Sequence, residues 1–145
     1  MRRLAIILSF IFLIQTAATA QYYHTGVEPG YTKWRQIESG KIRVIYPSEF
    51  EGKASGYLNI LLTTDMLVGK PYNIAHKRLD VVLHPNSMLS NGFVAWAPRR
   101  MELITFPPAD GYAQPWSYQL ALHEMRHVKQ MYALNSSTSR LAYYL

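Results

Sequence analysis

The stretch LALHEMRHVKQ, residues 120–130, holds the residue types and the spacing that could do chemistry. On a helix, His123 and His127 lie about 40° apart on one face, so both imidazoles can meet a single metal ion. Zinc accepts neutral imidazole nitrogens at about 2.0–2.1 Å, and such a pair offers two of the usual three protein ligands of a catalytic site. Glu124 could accept a proton from a zinc-activated water without ligating the metal. The pattern therefore predicts a Zn²⁺ site with an adjacent general base.

A structural helix without a metal is the alternative interpretation of the same motif, because an exposed helix can carry these residues as a solvated face. The motif is surrounded by apolar residues: Leu120, Leu122, Val128 and Met131. They predict a helix that is packed on nearly all sides. Imidazole and carboxylate groups need partners when they leave water, which favours the metal-site interpretation.

Arg126 is a charged residue inside the motif. A guanidinium near a metal ion would oppose the charge of the ion unless a carboxylate neutralised it. At about 60° from His123, Arg126 could instead point to the rim and hold a loop or a substrate carboxylate.

The other candidate ligands are weaker. His24, His76 and His84 are interpreted as surface or loop residues rather than ligands. Glu102 is a better candidate, since it lies on a presumed edge strand. A salt bridge from Glu102 to Arg99 or Arg100 is the simpler explanation.

The elements before the motif are predicted from apolar periodicity. Residues 34–37 and 41–46 resemble two short strands around a turn at Ser39 and Gly40. Apolar residues recur at spacings of three and four over residues 50–68, which predicts an amphipathic helix that ends at Gly69.

The elements that must position the motif follow in the second half of the chain. LDVVLH, residues 79–84, predicts a buried strand. FVAWA and MELITF predict a hairpin or one long bent edge strand. A final helix is predicted after Pro115, with Asn135 stopping it. The order of strands and helices indicates an α+β fold with no internal repeat.

Residues 1–20 predict an export signal. A basic start at Arg2 and Arg3 precedes an apolar run, and small residues stand at Ala18 and Ala20. The run is shorter than the roughly 20 residues that span a bilayer, so no stable membrane span is expected. We expect a location in the periplasm, associated with the outer membrane, or outside the cell, and an extended lead-in over residues 21–33.

Length and composition limit the function further. The chain has 145 residues, no cysteine and a formal net charge of +6, which suits one globular domain without disulfides. Loss of Arg2 and Arg3 with the signal leaves 13 basic residues against 9 acidic ones. This balance is too mild and too scattered to predict a nucleic-acid partner.

The motif resembles the gluzincin-type, peptidase MA-like group of zinc metallopeptidases. More closely, NGFVAWAPRRMELITFPP followed by WSYQLALHEMRHVKQ resembles the N-terminal segment of secreted bacterial proteins that continue into a TolB-like, WD40-like β-propeller. The resemblance covers residues 34–134, which would form a zincin-like subdomain with a mixed twisted sheet.

The resemblance also implies a mechanism and a substrate. The edge strand, residues 93–106, would lie beside the zinc cleft, and a peptide or protein substrate would add to it as an extra strand. The implied substrate-binding residues are Phe93, Val94, Ala95 and Trp96. His123 and His127 match the zinc ligands, and Glu124 matches the general base of peptide-bond hydrolysis.

The sequence departs from the resemblance at the third ligand, which in gluzincins is a glutamate on a later helix. No aspartate or glutamate follows Glu124. We therefore expect a fragment of a longer enzyme, inactive alone, in which residues 135–145 begin a truncated downstream region. The alternative is a non-catalytic module that binds a peptide or an envelope partner with the same cleft and edge strand.

Overall fold

The computed structural model describes residues 28–72, 76–96, 98–111 and 113–134. The predicted export signal, His24, Asn135 and the segment 135–145 lie outside these residues, as does most of the predicted lead-in. Within the described ranges, no helix is both long enough and apolar enough to cross a membrane.

Five strands form one mixed sheet. They are β1 (Trp34–Ser39), β2 (Ile42–Pro47), β3 (Leu79–His84), β4 (Gly92–Trp96) and β5 (Arg99–Ile104). The order across the sheet is β1-β2-β3-β5-β4. β2, β3 and β5 run parallel, while β1 and β4 pair antiparallel at the two edges. The predicted α+β class and mixed sheet are confirmed.

Local sequence explains the first hairpin. Gly40 adopts a φ of 59° in the turn between β1 and β2, a conformation that glycine reaches without steric cost. Along β2, Ile42, Val44 and Tyr46 are buried in alternation with Arg43 and Ile45, which are half-buried. This period of two places the apolar side chains of β2 on one face of the sheet.

Two helices cover that face. After one 3-10 turn at Ser48–Phe50, α1 runs over Glu51–Tyr72, and α2 runs over Trp116–Leu134. α1 packs on β1 and β2, α2 packs on β4 and β5, and the helices contact each other. The core between sheet and helices includes Val44, Leu61, Val81, Leu83, Met101, Leu103, Met125 and Val128.

The predicted helix end at Gly69 is wrong, because α1 continues to Tyr72 with Pro71 in its last turn. Gly69 lies inside the helix and faces α2. A Cβ atom there would lie 3.4 Å from Lys129 Nζ on α2, which is an ordinary van der Waals distance.

The hairpin interpretation of residues 93–106 is confirmed, and the single long edge strand is wrong. β4 is the edge strand, and β5 lies inside the sheet between β3 and β4. Met101, Glu102, Leu103 and Ile104 are all buried, as expected for an inner strand covered on both faces. Glu102 therefore does not lie on the edge.

A lysine–aspartate pair joins the two helices. Lys129 Nζ lies 2.6 Å from Asp65 Oδ1, and His76 Nε2 lies 2.9 Å from the same oxygen. Burial would raise the pKa of Asp65, but the hydrogen bonds and charges of His76 and Lys129 outweigh it and lower the pKa. This cluster links α2 to α1 and so helps to set the orientation of α2 about its own axis.

The sheet face turned away from the helices carries a second buried cluster. His84 Nδ1 lies 2.9 Å from Glu28 Oε2, and His84 Nε2 lies 3.0 Å from Glu102 Oε2. Arg100 also donates to Glu102, which confirms the predicted salt bridge between Glu102 and a neighbouring arginine. Burial would lower the pKa of His84, but the hydrogen bonds and charges of Glu102 and Glu28 outweigh it and raise the pKa.

The interpretation of His76 and His84 as surface residues is wrong. His76 does lie in a loop, but only 3% of it is exposed, and His84 is 5% exposed. Both are covered because other parts of the chain pack on them. Trp34 packs edge-on against the ring of His84, and Tyr132 lies beside His76.

Candidate metal centre and cleft

α2 presents the motif on a helix with one buried and one exposed face. Pro115 precedes its first turn and accepts hydrogen bonds from the backbone amides of Tyr118 and Gln119. The exposed face carries His123, Arg126, His127 and Gln130. The prediction of a helix packed on nearly all sides is therefore wrong, and the two histidines reach solvent.

The two histidine side chains converge. His123 Nε2 and His127 Nε2 lie 3.1 Å apart, with the rings nearly perpendicular at 82°. Two imidazole nitrogens bound to one tetrahedral zinc ion at about 2.0–2.1 Å would be separated by roughly 3.3 Å. The pair therefore fits two ligand positions of such an ion.

Gln130 fixes the second histidine. His127 Nδ1 lies 3.1 Å from Gln130 Oε1, one helical turn further on. An amide oxygen only accepts hydrogen bonds, and a neutral imidazole that donates to it from Nδ1 keeps its lone pair on Nε2. A ring held in this way presents the nitrogen that a metal requires.

Glu124 is buried beside the histidines. Only 3% of the residue is exposed, and its Oε2 atom has no hydrogen-bond partner among the described residues. Burial raises the pKa of Glu124, and the charge of His127 opposes this only in part. A carboxylate that is poorly solvated and borders a cleft is suited to accept a proton.

Gly92, at the start of β4, allows α2 to approach the edge strand. A Cβ atom at Gly92 would lie 3.0 Å from Glu124 Cγ, 3.1 Å from Glu124 Oε1 and 3.0 Å from Leu120 Cδ1. The missing side chain thus lets the Glu124 carboxylate sit directly against the edge strand. The sequence alone did not reveal this role of Gly92.

A cleft of about 720 Å³ lies between the exposed face of α2 and the start of β4. Its lining includes Asn91, Gly92, Phe93, Val94, Gln114, Trp116, Gln119, Leu122, His123, Glu124, Arg126, His127 and Met131. The cleft brings the predicted ligands and base together with the amino-terminal half of the edge strand.

The four predicted substrate-binding residues occupy different places. Phe93 and Val94 line the cleft, whereas Ala95 borders a small separate pocket. Phe93 and Ala95 pair with Glu102 and Arg100, so their side chains share the sheet face away from α2. Trp96 ends β4, and its side chain lies outside what the structure describes.

A third acidic ligand does not come from the described residues. They contain no group of three or more His, Cys, Asp or Glu side chains that could hold a metal ion. All nine aspartates and glutamates of the chain fall within the described ranges. Glu102 lies on the far sheet face with His84 and Arg100.

Sequence reasoning missed several residues in or next to the cleft. Gln130 follows His127 by three positions, so helical spacing alone would have indicated their contact. Gln114 and Gln119 line the cleft, but no spacing in the sequence sets them apart.

Comparison with known proteins gives no match: no family model matches the chain, and no curated protein or solved structure is significantly similar to it. The interpretation of the site therefore depends on its own geometry.

Proposed function

We propose that this chain carries the metal-binding pair and the general base of an exported, zinc-dependent, gluzincin-like peptidase. The observation that carries the proposal is the 3.1 Å approach of His123 Nε2 to His127 Nε2 at the mouth of a cleft that Glu124 also lines. The edge position of β4 supports a peptide substrate. The pattern of residues 1–20 supports export.

The chain's own residues have distinct roles in this proposal. A peptide pairs with the outer side of β4, the last strand of the described sheet, and is held by main-chain hydrogen bonds across the cleft. His123 and His127 would hold the zinc ion, which when bound would polarise the scissile carbonyl and activate a water molecule for attack. Glu124 accepts a proton from that water at its carboxylate and delivers it to the leaving amine.

The third protein ligand comes from outside the described residues. An open catalytic zinc site normally keeps three protein ligands, and the described cleft supplies two. His24 is the remaining histidine of the sequence, and a downstream segment of a longer parent chain is the other source. Such a parent could also carry a β-propeller.

Metal binding and hydrolysis test the proposal together. Zinc content after equilibrium dialysis is expected to fall in His123→Ala and His127→Ala and to remain in Glu124→Gln. In a parent chain that supplies the third ligand, hydrolysis of a peptide library is expected to fall by about 10²- to 10⁴-fold in Glu124→Gln. His24→Ala tests the third ligand, and Lys41→Gln, a change in the exposed β1–β2 turn, is the control.

The outcomes separate two candidate functions. Unchanged zinc content in both histidine variants would contradict the metal site. Zinc binding and peptide binding without hydrolysis in such a parent chain would support the second candidate, a non-catalytic peptide- or envelope-binding module. The observation that favours this second candidate is the lack of a third acidic ligand among the described residues.

A further inference from the structure

Arg126 is the one lysine or arginine among the described residues that line the cleft. It is exposed and lies about 60° from His123 around the helix axis, on the side away from Glu124. The guanidinium therefore borders the histidine pair on the side opposite β4. Leu122, four residues earlier, lies on the same side of α2 and also lines the cleft.

Arg126 forms no ion pair with an acidic side chain among the described residues. All nine aspartates and glutamates fall in described segments, and none of their ion pairs includes Arg126. Four of the other five described arginines each bind a carboxylate. Arg35, Arg43, Arg78 and Arg100 bind those of Glu51, Asp80, Glu38 and Glu102.

The exposed charge of the cleft lining is positive and comes from Arg126. Glu124 is the only acidic residue among the lining residues, and it is buried. The exposed polar groups of the lining are neutral amides, two imidazoles and one guanidinium. A negatively charged group entering the cleft therefore meets Arg126 and no exposed carboxylate.

We infer that Arg126 is a specificity-determining residue that selects peptides with a carboxylate next to the segment held over the histidine pair. This rests on the proposed function only in taking the cleft as a peptide site. A planar guanidinium can bind a carboxylate through two parallel hydrogen bonds, which fixes its direction as well as its position. The carboxylate belongs to an aspartate or glutamate side chain or to the end of the peptide.

Four labelled peptides of one sequence test the inference. They carry Glu or Gln at the centre, and each has a free or an amidated carboxyl terminus. Fluorescence anisotropy gives Kd for the full chain with EDTA present, so the measurement does not depend on zinc. We expect the wild-type chain to bind at least one carboxylate-bearing peptide about tenfold more tightly than the amidated Gln peptide, as one charge-assisted hydrogen bond predicts.

The variants assign this preference to Arg126. Arg126→Gln is expected to abolish it, and Arg126→Glu to reverse it in favour of a peptide with a central lysine. Lys41→Gln removes the same charge from the β1–β2 turn and is expected to keep the preference. If the preference persists when the peptide terminus is amidated, the central Glu side chain is what Arg126 binds. If amidation abolishes the preference, Arg126 binds the terminal carboxylate.

Three results would overturn the inference. They are equal binding of all four peptides by the wild-type chain, a preference that persists in Arg126→Gln, and no binding of any peptide. Zinc content of the same protein preparations, measured without EDTA, is a separate readout. Absence of zinc binding in the wild-type chain would count against the peptidase proposal and leave the carboxylate preference standing.

Discussion

Gln130 is the residue outside the motif whose contact bears most directly on metal binding. It accepts a hydrogen bond from His127 Nδ1 and so keeps Nε2 available. Gln130→Leu is expected to weaken zinc affinity by about 10- to 100-fold, the usual effect of removing a partner of a ligating histidine. Competition with a chromogenic chelator measures the affinity.

Gln130→Glu is the matched variant, because a carboxylate can accept the same hydrogen bond. It is expected to keep zinc affinity at or above the wild-type level. Equal affinities for Gln130→Leu and the wild-type chain would show that the hydrogen bond has no role in holding the ligand.

Residue types and helical spacing sufficed to place both histidines and Glu124 in one cleft. They did not reveal that Glu124 is buried while its neighbours His123 and Arg126 are exposed. Burial depends on how α2 is rotated against the sheet, and that rotation is set by tertiary contacts. The buried His84 was missed for the same reason, since Glu28 and Trp34 are distant in sequence.

The contact between α2 and β4 is tightest at Gly92. Gly92→Ala places a methyl group 3.0 Å from atoms of Leu120 and Glu124, so the helix must shift or the side chains must move. We expect a loss of about 1–3 kcal/mol in the free energy of unfolding, measured by chemical denaturation.

Gly56→Ala is the control for the change in Gly92. A Cβ at Gly56, inside α1, would meet no atom within 4 Å. Alanine there is expected to stabilise the chain by about 0.5–1 kcal/mol, because glycine is unfavourable inside helices. A Gly92→Ala chain as stable as the wild type would argue against the tight contact.

The buried pair between the helices should be sensitive to loss of charge. Asp65→Asn leaves the Lys129 ammonium, which is 4% exposed, without this carboxylate, and is expected to cost about 3 kcal/mol. Asp80→Asn is the comparison, since its pair with Arg43 is 28–30% exposed and should cost about 1 kcal/mol or less. Similar losses in both variants, measured by urea denaturation, would contradict a special role for the buried pair.

At the level of elements, periodicity predicted the strands and both helices, and the boundaries depended on packing. Gly69 has the sequence signature of a helix end, but α1 continues past it to Tyr72, beside Lys129 of α2. The position of β5 inside the sheet was not predicted either. Strand order arises from the long-range pairing of β3 with β5, which the local pattern of MELITF does not encode.

The whole molecule is expected to lose stability as the pH rises past neutrality, because of His84. Its pKa in the folded chain is raised by Glu102 and Glu28. Because this pKa is raised on folding, protonated His84 adds to the stability of the folded chain. The added stability is complete below about pH 6.5, the ordinary pKa of histidine, and is lost as the pH rises through the pKa of His84 in the folded chain. Arg100, which also binds Glu102, and the ring of Trp34 are the other groups around this cluster.

The difference in unfolding free energy between the wild-type chain and His84→Gln measures this contribution. It should be largest below pH 6.5 and shrink at higher pH, which guanidinium denaturation at several pH values can follow. A difference that does not change between pH 5.5 and 9 would show that His84 keeps its ordinary pKa.

The placement of β4 at the edge of the sheet also bears on the order of folding. The strands β1, β2 and β3 and the helix α1 are complete by His84, while the cleft draws its lining from residues 91–131. As the chain emerges from the amino end, the scaffold can therefore collapse before any part of the cleft exists. Local opening of residues 91–131 in the native state would likewise take the cleft apart while β2 and β3 stay paired, and amide hydrogen exchange would detect the difference.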